Sequence, residues 1–210
     1  MGCLKRTGIS ELELMNEEIV NEIASKWKFR EKPPINPTVL MIGGFQGAGK
    51  TTVLNLLKED LDLIIISPDE IRHKLFEKGW KVNERFVHTV NATRNNLLKM
   101  ALKLGYNIAV DQLTTRARID LVKKIVIENN NKYRCLLVYL QASKDTLIKR
   151  VESRRKFKGL YKGTLEELKD SIIKHGQPDL QMYDLVLDTE KLNPSQVANK
   201  LQGLVASTKT

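Results

Sequence analysis

Cysteine is nearly absent from this chain: Cys3 and Cys135 are the only two among 210 residues. Cys135 sits in the apolar run "YRCLLVYL", which marks a core position rather than a ligand or nucleophile. Two cysteines so placed build no disulfide framework and fit a reducing compartment, so the expected location is the cytoplasm. Long apolar runs are missing as well. None approaches the ~18 residues of a membrane span, and the first residues lack the apolar core of a signal peptide. "MGCLKR" carries Gly2, but Arg6 stands where a myristoylation motif needs Ser or Thr, so an unmodified terminus is expected. Acidic residues are in deficit, 25 against 35 Lys and Arg, for a net charge of +10 and a pI near 9.5. That balance favours an anionic partner, with a solvated basic surface as the plainer alternative. His73, His88 and His175 have no spacing that suggests a metal site or acid–base work, and they are taken as structural or surface residues.

The residues that are present divide the chain in two. "SELELMNEEIVNEIASKWKF" places Leu12, Met15, Ile19, Ile23 and Trp27 on one helical face, with Ser10 and Glu13 as a capping box. Core packing explains that stripe, and docking of a protein partner is the alternative. Three prolines between 33 and 37 then stop the helix. Residues 1–37 are therefore expected to be an amphipathic helix and a proline-rich linker, and 38–210 the main domain. From residue 38, the runs "TVLMI", "LDLIII", "YNIAV", "YRCLLVYL" and "YDLVL" read as buried strands separated by helical stretches. One helix is expected to start with Ser67 at N-cap, Pro68 at N1 and Glu70 at N3, and a long one to run from about Asn83 to Leu104 and stop at Gly105. Strand–helix alternation of this kind predicts an α/β domain with a five-stranded parallel sheet flanked by helices.

"GFQGAGKT", residues 44–51, fills the pattern G-x-x-x-x-G-K-[ST] between an apolar strand and the amphipathic "TTVLNLLKEDL". Gly44, Gly47 and Gly49 let backbone N–H groups of a loop that includes Gln46 and Ala48 converge on phosphate oxygens. Lys50 can reach the β- and γ-phosphates, the Thr51 hydroxyl can ligate Mg²⁺, and the helix starting at Thr51 and Thr52 points its positive end at the anion. A guanine-selecting N-K-x-D run is lacking; "NKYR" at 131–134 has no Asp.

Three further features bear on what the phosphate is for. Asp69 and Arg72, in "SPDEIRHKL", share a helical face at the carboxyl end of the second strand. An Asp there can accept or orient a hydroxyl proton, and the Arg can grip an anion; an ordinary acidic first turn with a surface Arg is the alternative. Asp111 closes the third strand, where a buried carboxylate is costly without a task such as holding Mg²⁺, or capping the next helix. Between Lys144 and Lys162 lie eight Lys and Arg against two acids, with Arg150 and Arg154 on one face. That run reads as a basic lid over the γ-phosphate or as a solvated charged segment. A lid spanning about 150–163 also contains Phe157 and Tyr161, which can stack on a base or pack the lid down.

"GFQGAGKT", "DEIR", "YNIAVD" and "LIKRVESRR", in this order, resemble the P-loop kinases related to polynucleotide 5′-kinases, an AAA-type ATP-binding kinase family, over roughly residues 38–203. Similarity to zeta-toxin kinases, which phosphorylate a nucleotide sugar, is confined to the glycine loop and "PDEIR". The resemblance implies a P-loop kinase fold with a basic lid, using ATP and Mg²⁺ to phosphorylate a hydroxyl; the N-terminal helix, residues 10–29, lies outside the resemblance and is expected as an addition to that fold. It assigns catalytic roles to Lys50, Asp69, Arg150 and Arg154, and the metal to Thr51 and Asp111. Nucleotide contacts fall to residues 44 and 46–52 and to Thr189 beside the adenine, and acceptor contacts to Asp69, Arg72 and Arg118. One departure falls after the third strand, where Leu113 replaces a polar residue and Thr114 follows. The acceptor stays open among a polynucleotide 5′-hydroxyl, a nucleotide sugar and a small metabolite. A nucleotide-dependent switch without an acceptor, and nucleic-acid binding through the lid alone, are the rival readings.

Overall fold

The computed structural model describes residues 11–111, 115–154, 164–176 and 178–207, with the backbone alone for 11–14 and 59. The expected Ser10 capping box, the residue 2–6 motif, Cys3, Leu113, Thr114 and most of the lid (155–163) lie outside the described residues.

Five strands form one parallel sheet in the order β2-β3-β1-β4-β5: β1 (Thr38–Gly43), β2 (Ile64–Ile66), β3 (Ile108–Asp111), β4 (Arg134–Gln141) and β5 (Leu185–Asp188). The helices are α1 (Glu11–Ala24), α2 (Lys50–Asp60), α3 (Pro68–Glu77), α4 (Glu84–Leu104), α5 (Arg116–Asn129), α6 (Lys144–Ser153), α7 (Leu165–His175) and α8 (Pro194–Ala206). Side chains alternate across the pleat, so each strand feeds two cores. Val39 and Met41 of β1 join Ile108 and Val110 of β3 and Leu137 and Tyr139 of β4 against α1, α3, α4 and α5. Leu40 and Ile42 join Ala109, Val138 and Leu140 against α2, α6, α7 and α8. Burial on both faces is why the strands read as unbroken apolar runs.

The long helix fits its expected bounds. Asn83 caps α4 by accepting from the Phe86 N–H at 2.9 Å, and Gly105 ends it with φ +80. The second strand is shorter than "LDLIII". Asp62 turns into the left-handed region at φ +45, and its carboxylate accepts from the N–H groups of Arg30 and Glu31 at 3.1 and 3.0 Å. The start of α3 differs in chemistry from the expected capping box. Ser67 holds the N-cap position and Pro68 follows, but no side chain caps the turn. Glu70 is drawn instead to Lys26, 3.0 Å away.

Helix α1 does not stand apart. Ile19 and Ile23 are fully enclosed in the same core as β1 and α4, and Lys74 of α3 and Lys78 just past its end pair with Glu22 and Glu18 of α1 at 2.5 and 2.7 Å. Asn107, invisible as a core residue in sequence, is buried and joins the starts of two strands. Its Oδ1 accepts from the Thr38 N–H at 3.0 Å, and its Nδ2 donates to the Leu61 carbonyl at 3.4 Å. No helix among the described residues is long and apolar enough to cross a membrane.

Candidate functional site

The glycine loop leaves β1 at its carboxyl end, in the middle of the sheet, and feeds α2. Its glycines are required by space as well as by conformation. Gly47 has φ +91, and a Cβ there would meet the Leu147 carbonyl oxygen at 2.9 Å. At Gly44 a Cβ would meet the Leu140 carbonyl oxygen at 2.7 Å. The loop is thus pressed against β4 and α6, while Gly49 (φ +94) has open space beside it. Gly49 is also the N-cap of α2 and brings no capping side chain, so the first N–H groups of the helix are left to other acceptors. Lys50 Nζ donates to the carbonyls of Gly44 and Phe45 at 2.8 and 3.3 Å and stands 3.9 Å from Asp111 Oδ1. This cradle fits a polyphosphate, and the Thr51 hydroxyl with the Asp111 carboxylate supplies the hard oxygen donors that Mg²⁺ prefers.

Asp111 ends β3, is 6 % exposed, and does not cap α5, whose N-cap is Thr115. Burial pushes its carboxyl above the usual range, and Lys50 opposes that rise. Asp69 adds to it, which places the two carboxylates within electrostatic reach. Asp69 accepts a hydrogen bond from Arg72 Nη1 at 2.5 Å, one turn into α3.

Around this acid pair the structure gathers cations from four helices. Arg118, in the first turn of α5, has its pKa lowered by burial and then by Arg72. Arg154, just past α6, is lowered by burial and Arg150, with Asp69 opposing. Arg94, not anticipated, is 4 % exposed; burial, then Arg118, brings its guanidinium down to about 10. Its position on α4, which packs against α5 and β3, brings it within electrostatic reach of Arg118. A signal did exist in sequence, since Arg94 interrupts the apolar stripe of Val90, Leu97, Leu98 and Ala101 at helical spacing.

Arg150 departs from a purely lid-like placement. Its Nη1 donates to Thr189 Oγ1 at 2.9 Å and to the Gly47 carbonyl at 3.3 Å, and its Nη2 to the Thr189 carbonyl at 2.7 Å. It ties the glycine loop to the turn after β5. Glu190, also unanticipated, fastens the same turn to α6 by accepting from the N–H and hydroxyl of Ser143 at 2.8 and 2.9 Å and from the Thr146 hydroxyl. Those bonds hold its carboxyl below the usual range. Among the described residues, no group of three or more His, Cys, Asp or Glu could hold a metal ion. His73 pairs with Glu77 at 3.2 Å, His88 is exposed, and His175 ends α7 with its pKa lowered by burial.

A glycine loop between the central strand and its helix, on a five-stranded parallel sheet of this order, defines a P-loop nucleotide-binding domain with a kinase-like fold. The chain belongs to the AAA domain family, whose match spans residues 39–174. A nucleotide-binding protein of Thermosipho melanesiensis is 26 % identical over 178 residues, covering 81 % of this chain and 55 % of its own length. The chain thus spans about half the length of the first curated relatives it matches. A cytidylate kinase of Sulfurisphaera tokodaii is 24 % identical over 183 residues, covering 78 % of this chain and 93 % of that protein. Shikimate kinase of Bacteroides thetaiotaomicron superposes with a TM-score of 0.54 at 15 % identity, over 81 % of this chain and 99 % of that one.

Proposed function

We propose that the protein is an ATP- and Mg²⁺-dependent kinase that moves the γ-phosphate to a hydroxyl of an anionic acceptor, with a polynucleotide 5′-hydroxyl end as the preferred class. The observation that carries this reading is Asp69. A second carboxylate stands beside the Lys50–Asp111 pair, bonded to Arg72, with Arg94 buried and Arg118 and Arg154 half-buried nearby. A switch needs the glycine loop but neither this carboxylate nor an arginine nest.

The chain's residues divide the work. Lys50 exchanges the Gly44 and Phe45 carbonyls for phosphate oxygens. Thr51 and Asp111 would hold Mg²⁺, which would supply charge neutralisation on the phosphates. Arg150 and Thr189 fix the loop on the nucleotide side. Asp69 accepts or orients the acceptor proton while that oxygen bonds to the γ-phosphorus and the bond from phosphorus to the bridging oxygen breaks, releasing ADP. Arg72, Arg94 and Arg118 face the anionic part of the acceptor, and Arg154 faces the developing charge.

The test separates binding from transfer. In calorimetric titration Asp69→Asn is expected to bind ATP as the wild type does, while transfer to a 5′-hydroxyl oligonucleotide falls about 10²–10⁴-fold. A mutant that transfers at the wild-type rate removes Asp69 from this role. Because one relative is a cytidylate kinase, a nucleoside monophosphate belongs among the acceptors tried.

A further inference from the structure

A cavity of about 230 Å³ lies along the edge strand β2, and its wall is built partly by residues outside the matched family segment. Thr51 and Asp69 are among its lining residues, so whatever fills it reaches the proposed transfer site. Lys26 to Phe29, the stretch that follows α1, also line the cavity.

That stretch is fixed rather than draped. Lys26 pairs with Glu70 at 3.0 Å. Phe29 stacks on Tyr106 with ring centres 3.7 Å apart and planes 9° from parallel. Tyr106 donates its hydroxyl to the Glu31 carbonyl at 2.9 Å, and Asp62 holds the next two N–H groups. Trp27 is half-buried and lines the cavity together with the apolar Ile23, Leu63 and Ile65. Among the lining residues Asn55 and Ser67 can supply hydrogen bonds, and the exposed Lys28 and Lys58 supply charge.

We propose that this cavity receives the nucleobase of the acceptor while its hydroxyl lies at Asp69, so that the N-terminal segment completes the acceptor site. The inference rests on the kinase reading and deepens it. Three features point to a base rather than a polyol. The walls are mainly apolar, which suits a planar ring and starves a sugar of hydrogen-bond partners. An indole is available for stacking. The exposed lysines of the lining match the phosphates attached to a nucleoside.

Trp80→Phe leaves Trp27 as the single tryptophan. In that background, a nucleoside 3′-phosphate with a free 5′-hydroxyl is expected to quench Trp27 emission saturably, and gluconate to leave it unchanged. Trp27→Ala is expected to raise the acceptor KM roughly 10-fold or more with the ATP KM unaltered. Lys28→Glu, an exposed change that the fold tolerates, is expected to raise it several-fold. Quenching without transfer to any acceptor would retain the cavity's ligand and reject the kinase reading. Transfer with an acceptor KM unmoved by Lys28→Glu and by whichever Trp27 variant folds (Ala or Phe), and with no quenching, would retain the kinase and overturn this proposal.

Discussion

Two glycines two positions apart, alike in turn geometry but not in surroundings, test whether the loop is held by its neighbours or only by its own torsions. Gly47 and Gly49 both have φ above +90. An alanine forced into that region costs ~1–2 kcal/mol. At Gly49 that is the whole cost, because nothing lies within 4 Å of the added Cβ. At Gly47 the Cβ would stand 2.9 Å from the Leu147 carbonyl oxygen and 3.3 Å from its Cα, both backbone atoms of α6 that no rotamer change can move. Overpacking of this kind adds ~1–3 kcal/mol. For a domain of this size each kcal/mol is worth about 2–4 °C in Tm. Gly49→Ala should therefore lower Tm by about 2–8 °C and Gly47→Ala by about 4–20 °C. Scanning calorimetry without nucleotide measures both. Gly47→Ala should also displace α6, and with it the Arg150 bonds to Gly47 and Thr189. A Gly49→Ala loss equal to or larger than that of Gly47→Ala would refute the packing argument.

Three other outcomes follow from the same contacts. Asp111 is held above its ordinary 3.8 by burial, so the folded state binds the proton more tightly than the unfolded chain. Its stabilising contribution is complete below 3.8 and is lost as pH rises through the folded value. Asp111→Asn should accordingly melt higher than the wild type at pH 7, with the gap closing as pH falls toward 4, and should lose Mg²⁺-dependent nucleotide binding; a lower Tm at pH 7 would contradict this. Arg150→Ala removes charged hydrogen bonds worth ~1.5–3 kcal/mol, so ATP affinity by calorimetry should fall roughly 10- to 100-fold, and Arg150→Lys should recover little because a point charge cannot span both acceptors. Arg134 donates to the carbonyls of Leu204 and Ser207 at 2.6 and 2.7 Å, closing the end of α8. Arg134→Ala should cost ~1–3 kcal/mol in denaturant unfolding and leave kcat unchanged.

Much of this arrangement is visible in the residues themselves. The glycine loop carries its chemistry in eight consecutive positions, and parallel strands buried on both faces write themselves as apolar runs. The long helix announces its ends through Asn83 and Gly105. What stays hidden depends on distance across the fold. Glu70 looks like a capping residue until Lys26, 44 positions earlier, is seen to claim it. Arg150 reads as a lid residue until the turn at Thr189 is brought beside the glycine loop. Trp27 reads as one more apolar position on α1, yet the helix ends at Ala24 and the residue lines a cavity shared with Asp69. Arg94 was within reach, because a charge inside an apolar stripe asks for a reason. Its neighbour Arg118, whose charge helps lower its pKa, comes from a helix that only the fold places beside α4.

The most direct test of the central claim is the fate of the γ-phosphate. Purified protein with Mg²⁺ and γ-labelled ATP is offered 5′-hydroxyl DNA and RNA, nucleotide sugars, nucleoside monophosphates and polyols, beside Asp69→Asn. The account predicts label in a phosphate ester on a nucleotide-bearing acceptor, lost in the mutant. Label appearing only as inorganic phosphate, at equal rates in both proteins, would contradict it and leave a nucleotide-dependent switch in its place.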